Sequence, residues 1–340
     1  MNKLCVIGVY FGNLPNYFSL FLKSCQFNKT IDFYFFTDSV ESKEMGNIFF
    51  VNMKLEEVRA RASEVLGFDA VLSRPYKCCD YKILYGEIFK DYVGKYDYWG
   101  HCDFDLIFGD LQSFFDQYQL YDYDRFLTRG HLAMYKNTKE NNRRYLLGME
   151  QERYQDVFRS DNSFYFDEDP MTDVYINHNF PIFTKLIFAD ISLFFKRFKL
   201  IEKPCYDTPY PNYDQQVFYW ENGKVFRTYV DSDHQFREQE FIYIHFQKRP
   251  NFSVTFDVES CNSFYVTSKG FFPKNGTVTL GDIKIYNRFY GENHEKRELQ
   301  RRKNKDKRRL RKQKIRRFVN DKLEIAGIYL KRIFKKGKKN

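Results

Sequence analysis

No run of apolar residues in this 340-residue sequence approaches the roughly 20 that cross a bilayer as a helix, so a membrane span is not expected. The apolar run at residues 4–11 is cut short by Asn13, Pro15 and Asn16 and is followed by no small-residue cleavage site. It reads as a first strand and not as a signal peptide. Cysteine is present without a pattern: seven residues, an odd number, with Cys78 and Cys79 adjacent and no CxxC pair. That leaves neither a disulfide framework nor a zinc ribbon, and the expected setting is a reducing cytosol with free thiols. Basic excess is missing from the body of the chain. From Glu292 to Asn340 there are 21 Lys and Arg against 6 Asp and Glu, and the remainder holds 34 against 39. The overall charge of +10 therefore belongs to the tail, and no stacking motif of a known nucleic-acid module stands behind it.

What is abundant is aromatic: 38 Phe and 27 Tyr, a fifth of the chain with its two Trp. Most fill a core, and hydroxylated rings in this number also suit a cleft that stacks on sugars. The most informative stretch is 95–111, KYDYWGHCDFDLIFGDL. Tyr96, Tyr98 and Trp99 suit a buried strand, and that strand runs into Asp103-Phe104-Asp105. Two carboxylates at the end of a buried strand are costly unless something offsets their charge. Side chains two apart on an extended backbone face the same way. Asp103 and Asp105 can thus converge on one divalent cation, with Phe104 turned to the core, and hard oxygen ligands suit Mg²⁺ or Mn²⁺.

The apolar strand ending in Asp-x-Asp resembles the metal site of GT-A glycosyltransferases, which use nucleotide-sugar donors. Within 76–111, YKCCDYK, YGEIF and WGHCDFD in that order resemble bacterial glycosyltransferases of capsule and lipopolysaccharide synthesis. The resemblance implies an α/β, Rossmann-like GT-A fold with a mixed central sheet. It implies a nucleotide seated by Tyr10 after strand one and by Asp38 after strand two, where Asp38 bonds ribose or base or else caps a helix. It implies that Lys82, on the helix before the metal strand, reaches the diphosphate. In Arg129–Asn137 (RGHLAMYKN), Gly130 would allow close approach of the backbone, and His131 would point into the cleft as a catalytic candidate or be structural. Asp214-Gln215 resembles a pair that glycogenin-type enzymes place beside the reacting sugar. Asp214 is then a catalytic or sugar-binding carboxylate, or a first-turn aspartate favoured by the helix dipole. Those enzymes end their core with a strand, His-Phe and a downstream lysine. His245 would complete the metal site with Asp103 and Asp105, and Lys248 would hold the diphosphate at a shorter spacing than in that pattern.

The remaining elements follow from periodicity. Strands are expected at 4–10, 31–36, 48–52 and 241–246. Helices are expected from Pro15 at a first helical position, over 55–66 and 79–89, after Asp110, from Asn137 or Thr138 to about Leu147, and over 210–220. Residues 149–211 are irregular and suit an acceptor-binding region. No role is assigned to 251–290. From His294 the tail is dense in Lys and Arg, with Ile315, Val319, Leu323, Ala326, Leu330 and Ile333 at helical spacing. That describes a basic amphipathic helix suited to an anionic membrane surface over 294–336.

The expected organisation is a catalytic domain at 1–290, donor half about 1–137 and acceptor side about 138–250, with a helical tail at 291–340. The expected activity is hexosyl transfer from a nucleotide sugar, a UDP-sugar first, to a saccharide or lipid-linked saccharide in surface polysaccharide synthesis. It would take place at the inner face of the cell membrane, without nucleic acid. The alternative is a nucleic-acid-binding protein acting through the basic tail. A two-carboxylate glycosidase is disfavoured, because its acids must flank the scissile bond roughly 5 Å or more apart.

Overall fold

Leu4–Val9 has no charged side chain, which suits a strand covered on both faces. In the computed structural model it is central to the larger sheet. The structure describes residues 2–148, 154–202, 208–247, 252–305, 307–308 and 311. In chain order the strands are β1 (Leu4–Val9), β2 (Ile31–Thr37), β3 (Lys43–Met45), β4 (Ile48–Asn52), β5 (Tyr98–Cys102), β6 (Leu106–Phe108), β7 (Arg125–Arg129), β8 (Leu132–Lys136) and β9 (Ile182–Phe183). There follow β10 (Ala189–Asp190), β11 (Gln216–Glu221), β12 (Lys224–Val230), β13 (Phe236–Phe241), β14 (Tyr243–His245), β15 (Ser253–Val254), β16 (Ser263–Thr267) and β17 (Gly270–Pro273).

Eight of them form a mixed sheet in the order β3-β4-β2-β1-β5-β8-β7-β9. β1 is parallel to both β2 and β5, whereas β8 runs antiparallel to β5. The chain thus leaves β1 to one side, through helix α1 (Phe18–Phe27) to β2, and later returns on the other side as β5. Ligands of open α/β sheets bind at such a reversal, outside the strand C-termini. Three short strands, β10-β14-β6, form a small second sheet, and β13-β12-β11-β16-β17-β15 a third. The architecture is α/β with mixed sheets, as expected.

Helix α2 (Leu55–Leu66) has its expected bounds and ends at Gly67, whose φ of 72° is the left-handed cap that glycine favours. Thr138 caps the turn after β8 through Asn141 N–H. Three expectations need correction. Pro15 is not the first helical residue; it belongs to the turn before α1, where its carbonyl accepts from Phe18 N–H at 2.9 Å. The helix expected over 79–89 is a chain of short turns, Cys78–Tyr81, Lys82–Leu84 and Tyr85–Ile88. Asp80 and Lys82 both carry buried charge, and each is held by groups distant in sequence, so one regular helix gives way to both demands. The helix expected over 210–220 is strand β11, because Val217-Phe-Tyr-Trp is a β-type run paired on both edges, with β12 and β16.

Phe104, between the two aspartates, is 4% exposed and packs among Phe21, Phe35 and Tyr10, ring centroids 5.1–5.2 Å away. Burying such a ring contributes roughly 2 kcal/mol. It lies over Gly8 of β1, where a Cβ would come within 2.3 Å of the ring. Glycine is needed there for close approach.

The chain divides into two units, Met1–Ser192 with Arg197–Arg288, and Leu193–Lys196 with Phe289–Asn340. Within the second, residues 292–305 are helical. Arg302 Nε donates to Leu193 O at 3.1 Å and Lys196 N to Glu298 Oε2 at 3.3 Å. The apolar stripe expected from Ile315 onward lies outside the described residues. Among the described residues no helix is long and apolar enough to cross a membrane.

Candidate metal centre

β5 ends at Cys102, and the next residue turns outward with its backbone held, Asp103 N donating to His131 O at 2.9 Å. Phe104 returns to the core and Asp105 follows. β14 then runs antiparallel to β6 with His245 opposite Leu106, and Phe246 N donates to Asp105 O at 3.2 Å. Two elements far apart in sequence thereby bring Asp103, Asp105 and His245 together, with ligand atoms all within 4.8 Å of one another. His245 Nε2 lies 3.6 Å from Asp105 Oδ1, too long for a hydrogen bond. Asp105 Oδ1 is buried and has no hydrogen-bond partner among the described residues. A buried carboxylate oxygen facing an imidazole across such a gap fits a divalent cation, with oxygen ligands for Mg²⁺ or Mn²⁺ and a nitrogen that suits Mn²⁺ better.

Charge around this gap is uneven. Lys82 Nζ is 2.8 Å from Asp103 and 3.2 Å from Asp167, and donates to Gly130 O at 2.6 Å. Burial opposes the Lys82 charge, but Asp103 and then Asp167 outweigh it and hold the ammonium above its ordinary pKa. One ammonium faces two carboxylates, and burial pushes Asp167 up to about 6 although Lys82 pulls it down. On the other side Asp190, on β10, accepts from His245 Nδ1 at 2.9 Å and lies 3.8 Å from His131 Nε2. Burial alone would raise the Asp190 carboxyl, but the two histidines hold it well below the carboxylate range. Burial likewise opposes charge on His245, yet Asp105 and Asp190 raise it to about 10. Burial and the neighbouring His245 charge lower His131 to about 4.

A family model described as a family of unknown function (DUF6625) matches residues 6–275. The chain belongs to this family. The DUF6625 match takes in Asp103, Asp105, Asp167, Asp190 and His245 and stops short of the basic tail. No curated protein matches the sequence. Among solved structures, the galactosyltransferase LgtC in complex with donor and acceptor sugar analogs shares 11% identity at a TM-score of 0.35, over 55% of this chain and 75% of LgtC. Mouse xyloside xylosyltransferase 1 shares 8% at 0.36, over 55% of this chain and 87% of its own. Likeness this distant does not carry an activity.

The other residues singled out from the sequence do not all join the converging groups in this DUF6625 member. Tyr10 stacks on Phe104 at 5.1 Å, directly behind the Asp-x-Asp segment. Asp38 is exposed and caps no helix; its Oδ1 accepts from Gly12 N–H at 2.8 Å, tying the loop after β1 to the end of β2. His131 stands against His245, ring centroids 4.1 Å apart. Asp214 is exposed in the turn ahead of β11 and belongs to neither group of converging ligand atoms. Lys248 lies outside the described residues. Two residues not singled out from the sequence complete the centre, Asp167 and Asp190. Asp190 carried a local sign, a carboxylate inside the apolar run Ile187-Phe-Ala-Asp-Ile.

Proposed function

We propose that this chain is a divalent-metal-dependent glycosyltransferase that takes its sugar from a nucleotide-sugar donor. One observation carries the reading. Asp103, Asp105 and His245 converge beside the reversal point of the sheet around a buried carboxylate oxygen that has no hydrogen-bond partner among the described residues. These three residues would hold Mn²⁺ or Mg²⁺, which when bound offsets the charge of a leaving diphosphate. Lys82 adds fixed positive charge at the same edge, at 2.8 Å from Asp103, where a phosphate would compete with the carboxylate for it. Tyr10 and the Asp38-tethered loop border the nucleotide side.

The finer reading follows the sequence: a hexosyltransferase using a UDP-sugar, with Lys248 as a further diphosphate ligand and Asp214 as a sugar-binding or catalytic carboxylate. The acceptor would be a saccharide or lipid-linked saccharide of bacterial surface polysaccharide, on the cytoplasmic side. The tail at 294–336 would hold the enzyme on anionic lipid, each Lys or Arg near the surface contributing on the order of 1 kcal/mol.

The test is a thermal-shift panel of nucleoside diphosphates with and without Mn²⁺. One nucleotide should raise the melting temperature only when metal is present. Asp103→Asn and Asp105→Asn should keep the fold and lose that shift. Variants that still bind nucleotide as the parent does would defeat the reading. Vesicle co-sedimentation of the full chain and of a chain cut after Asn293 addresses the tail: only the full chain should pellet with anionic vesicles, and less so in high salt.

A further inference from the structure

The donor atoms around His245 fall into two overlapping groups. Asp103, Asp105 and His245 form one, and His131, Asp190 and His245 the other. A cation in the first group takes Nε2 of the shared ring, and one in the second takes Nδ1. Hydrogen bonding distinguishes them. Nε2 looks across 3.6 Å at Asp105 Oδ1, whereas Nδ1 is 2.9 Å from Asp190 Oδ1. An imidazole that gives one nitrogen to a cation keeps its proton on the other, and the partner of that other nitrogen decides which it is. At 2.9 Å from Asp190 the proton that the ring keeps belongs on Nδ1, so a cation displaces the proton of Nε2, on the side that faces Asp105.

The backbone fixes this bond. β10 lies parallel to β14, with Asp190 in register with His245, and Ile191 N donates to His245 O at 2.9 Å. Carboxylate and imidazole therefore project from neighbouring strands at one level, and Gln247 Nε2 adds a 3.4 Å contact to the same Asp190 oxygen. His131 backs the ring flat, centroids 4.1 Å apart and planes at 27°. Its own Nδ1 is 3.1 Å from the Tyr243 hydroxyl, and its Nε2, at 3.8 Å from Asp190, is too far for a hydrogen bond. His131 thus packs against the pair without competing for Asp190.

We propose that Asp190 is a positioning residue: it holds His245 with its proton on Nδ1 and so directs a divalent cation to the Asp103 and Asp105 side, away from His131. This rests on the metal-centre reading above, and it settles which of the two overlapping groups is the site. The second group is then the support of the first.

The experiment is calorimetric titration of the full chain with Mn²⁺ alone, thermal melting serving as the check of folding. Asp190→Leu should weaken Mn²⁺ binding about 10–100-fold. Asp190→Asn, whose side-chain oxygen still accepts from Nδ1–H, should restore most of the loss, which a merely structural role would not do selectively. His131→Phe keeps the stacked ring and should keep the parent affinity. In the metal-free parent a far-downfield proton resonance from His245 Nδ1–H should be present, and absent in Asp190→Leu. Undiminished affinity in Asp190→Leu, or a folded Asn variant as weak as the Leu variant, overturns the role of Asp190 alone. A tenfold loss in His131→Phe puts the ion in the other group and overturns the assignment. A parent that takes up no Mn²⁺ brings down the metal centre and this role with it.

Discussion

Two lysines five residues apart, Lys77 and Lys82, both reach into the interior and both meet aspartate, and the difference between them separates scaffold from site. Lys77 Nζ has three acceptors: Asp80 at 2.8 Å, Val157 O at 2.9 Å and Asn162 O at 2.5 Å. Asp80 is satisfied in turn by the backbone amides of Phe164 and Phe166 at 3.1 Å. One positive charge meets one negative charge, both side chains are wholly buried, and nothing is left over. Lys82 also has three acceptors, but two are carboxylates, one of them 37% exposed, and Asp167 Oδ1 is buried without a hydrogen-bond partner among the described residues. With Asp105 and Asp190 close by, four carboxylates gather around Lys82 and a charged His245, and Arg129 lines the pocket beside Asp190. A closed pair pins the loop of residues 157–166 to the turn that carries it. An unbalanced cluster at a sheet edge is a candidate place for a charge from outside.

The largest expected effect would break this contrast. Lys77→Met strands Asp80 in the core and should cost about 3–5 kcal/mol in urea unfolding. Lys82→Met should cost less, because water reaches Asp103 and Asp167, already raised to about 6, can take up a proton. Equal losses would mean that both networks are scaffold. A second test concerns the unbalanced side. His245 is raised to about 10, so the empty site holds its proton at neutral pH, and a metal must expel it. Mn²⁺ affinity should therefore climb about tenfold per unit between about pH 6 and 9, with one proton released per ion. Calorimetry in buffers of different ionisation enthalpy reads both quantities, and a flat profile would remove His245 from the ligand set. The smallest effect belongs to Glu168, which burial and then Asp167 raise to about 7. Its folded-state pKa lies above the unfolded one, so its stabilisation is full at low pH and is lost as pH rises through about 7. Glu168→Gln should gain on the order of 1 kcal/mol at pH 8, a figure reduced for its partial exposure, with no gain at pH 4. Denaturant melts at the two pH values decide it.

What could be read from the sequence was what its neighbours along the chain determine. β1, β2, β4 and α2 declare themselves by unbroken apolar runs or by 3.6-residue spacing. Asp103 and Asp105 stand out because a buried strand ends on them. Asp190 shows only as a carboxylate in an apolar run, since its partners are 55 and 59 positions away and the parallel pairing of β10 with β14 is what brings it to His245. The helix expected at 210–220 came from weighting Asp214-Gln215 over the run Val217-Phe-Tyr-Trp. The better signal was Asn222-Gly223, both at positive φ, the turn that closes β11 onto β12 as a hairpin. The break in 79–89 was hidden for another reason: the spacing of Tyr81, Leu84, Tyr85 and Ile88 is helical, and only the distant holds on Asp80 and Lys82 undo it.

The carboxylates of a metal centre are usually thought of as belonging to the loop that carries them. Here their reach is gauged from below, by a residue with no side chain. Phe104 is a peg seated in the hollow over Gly8, and Asp103 and Asp105 are the two arms of the crosspiece above it. The depth of that socket in β1 sets how far the arms stand out, so the calibration of the site lies almost a hundred residues upstream of it.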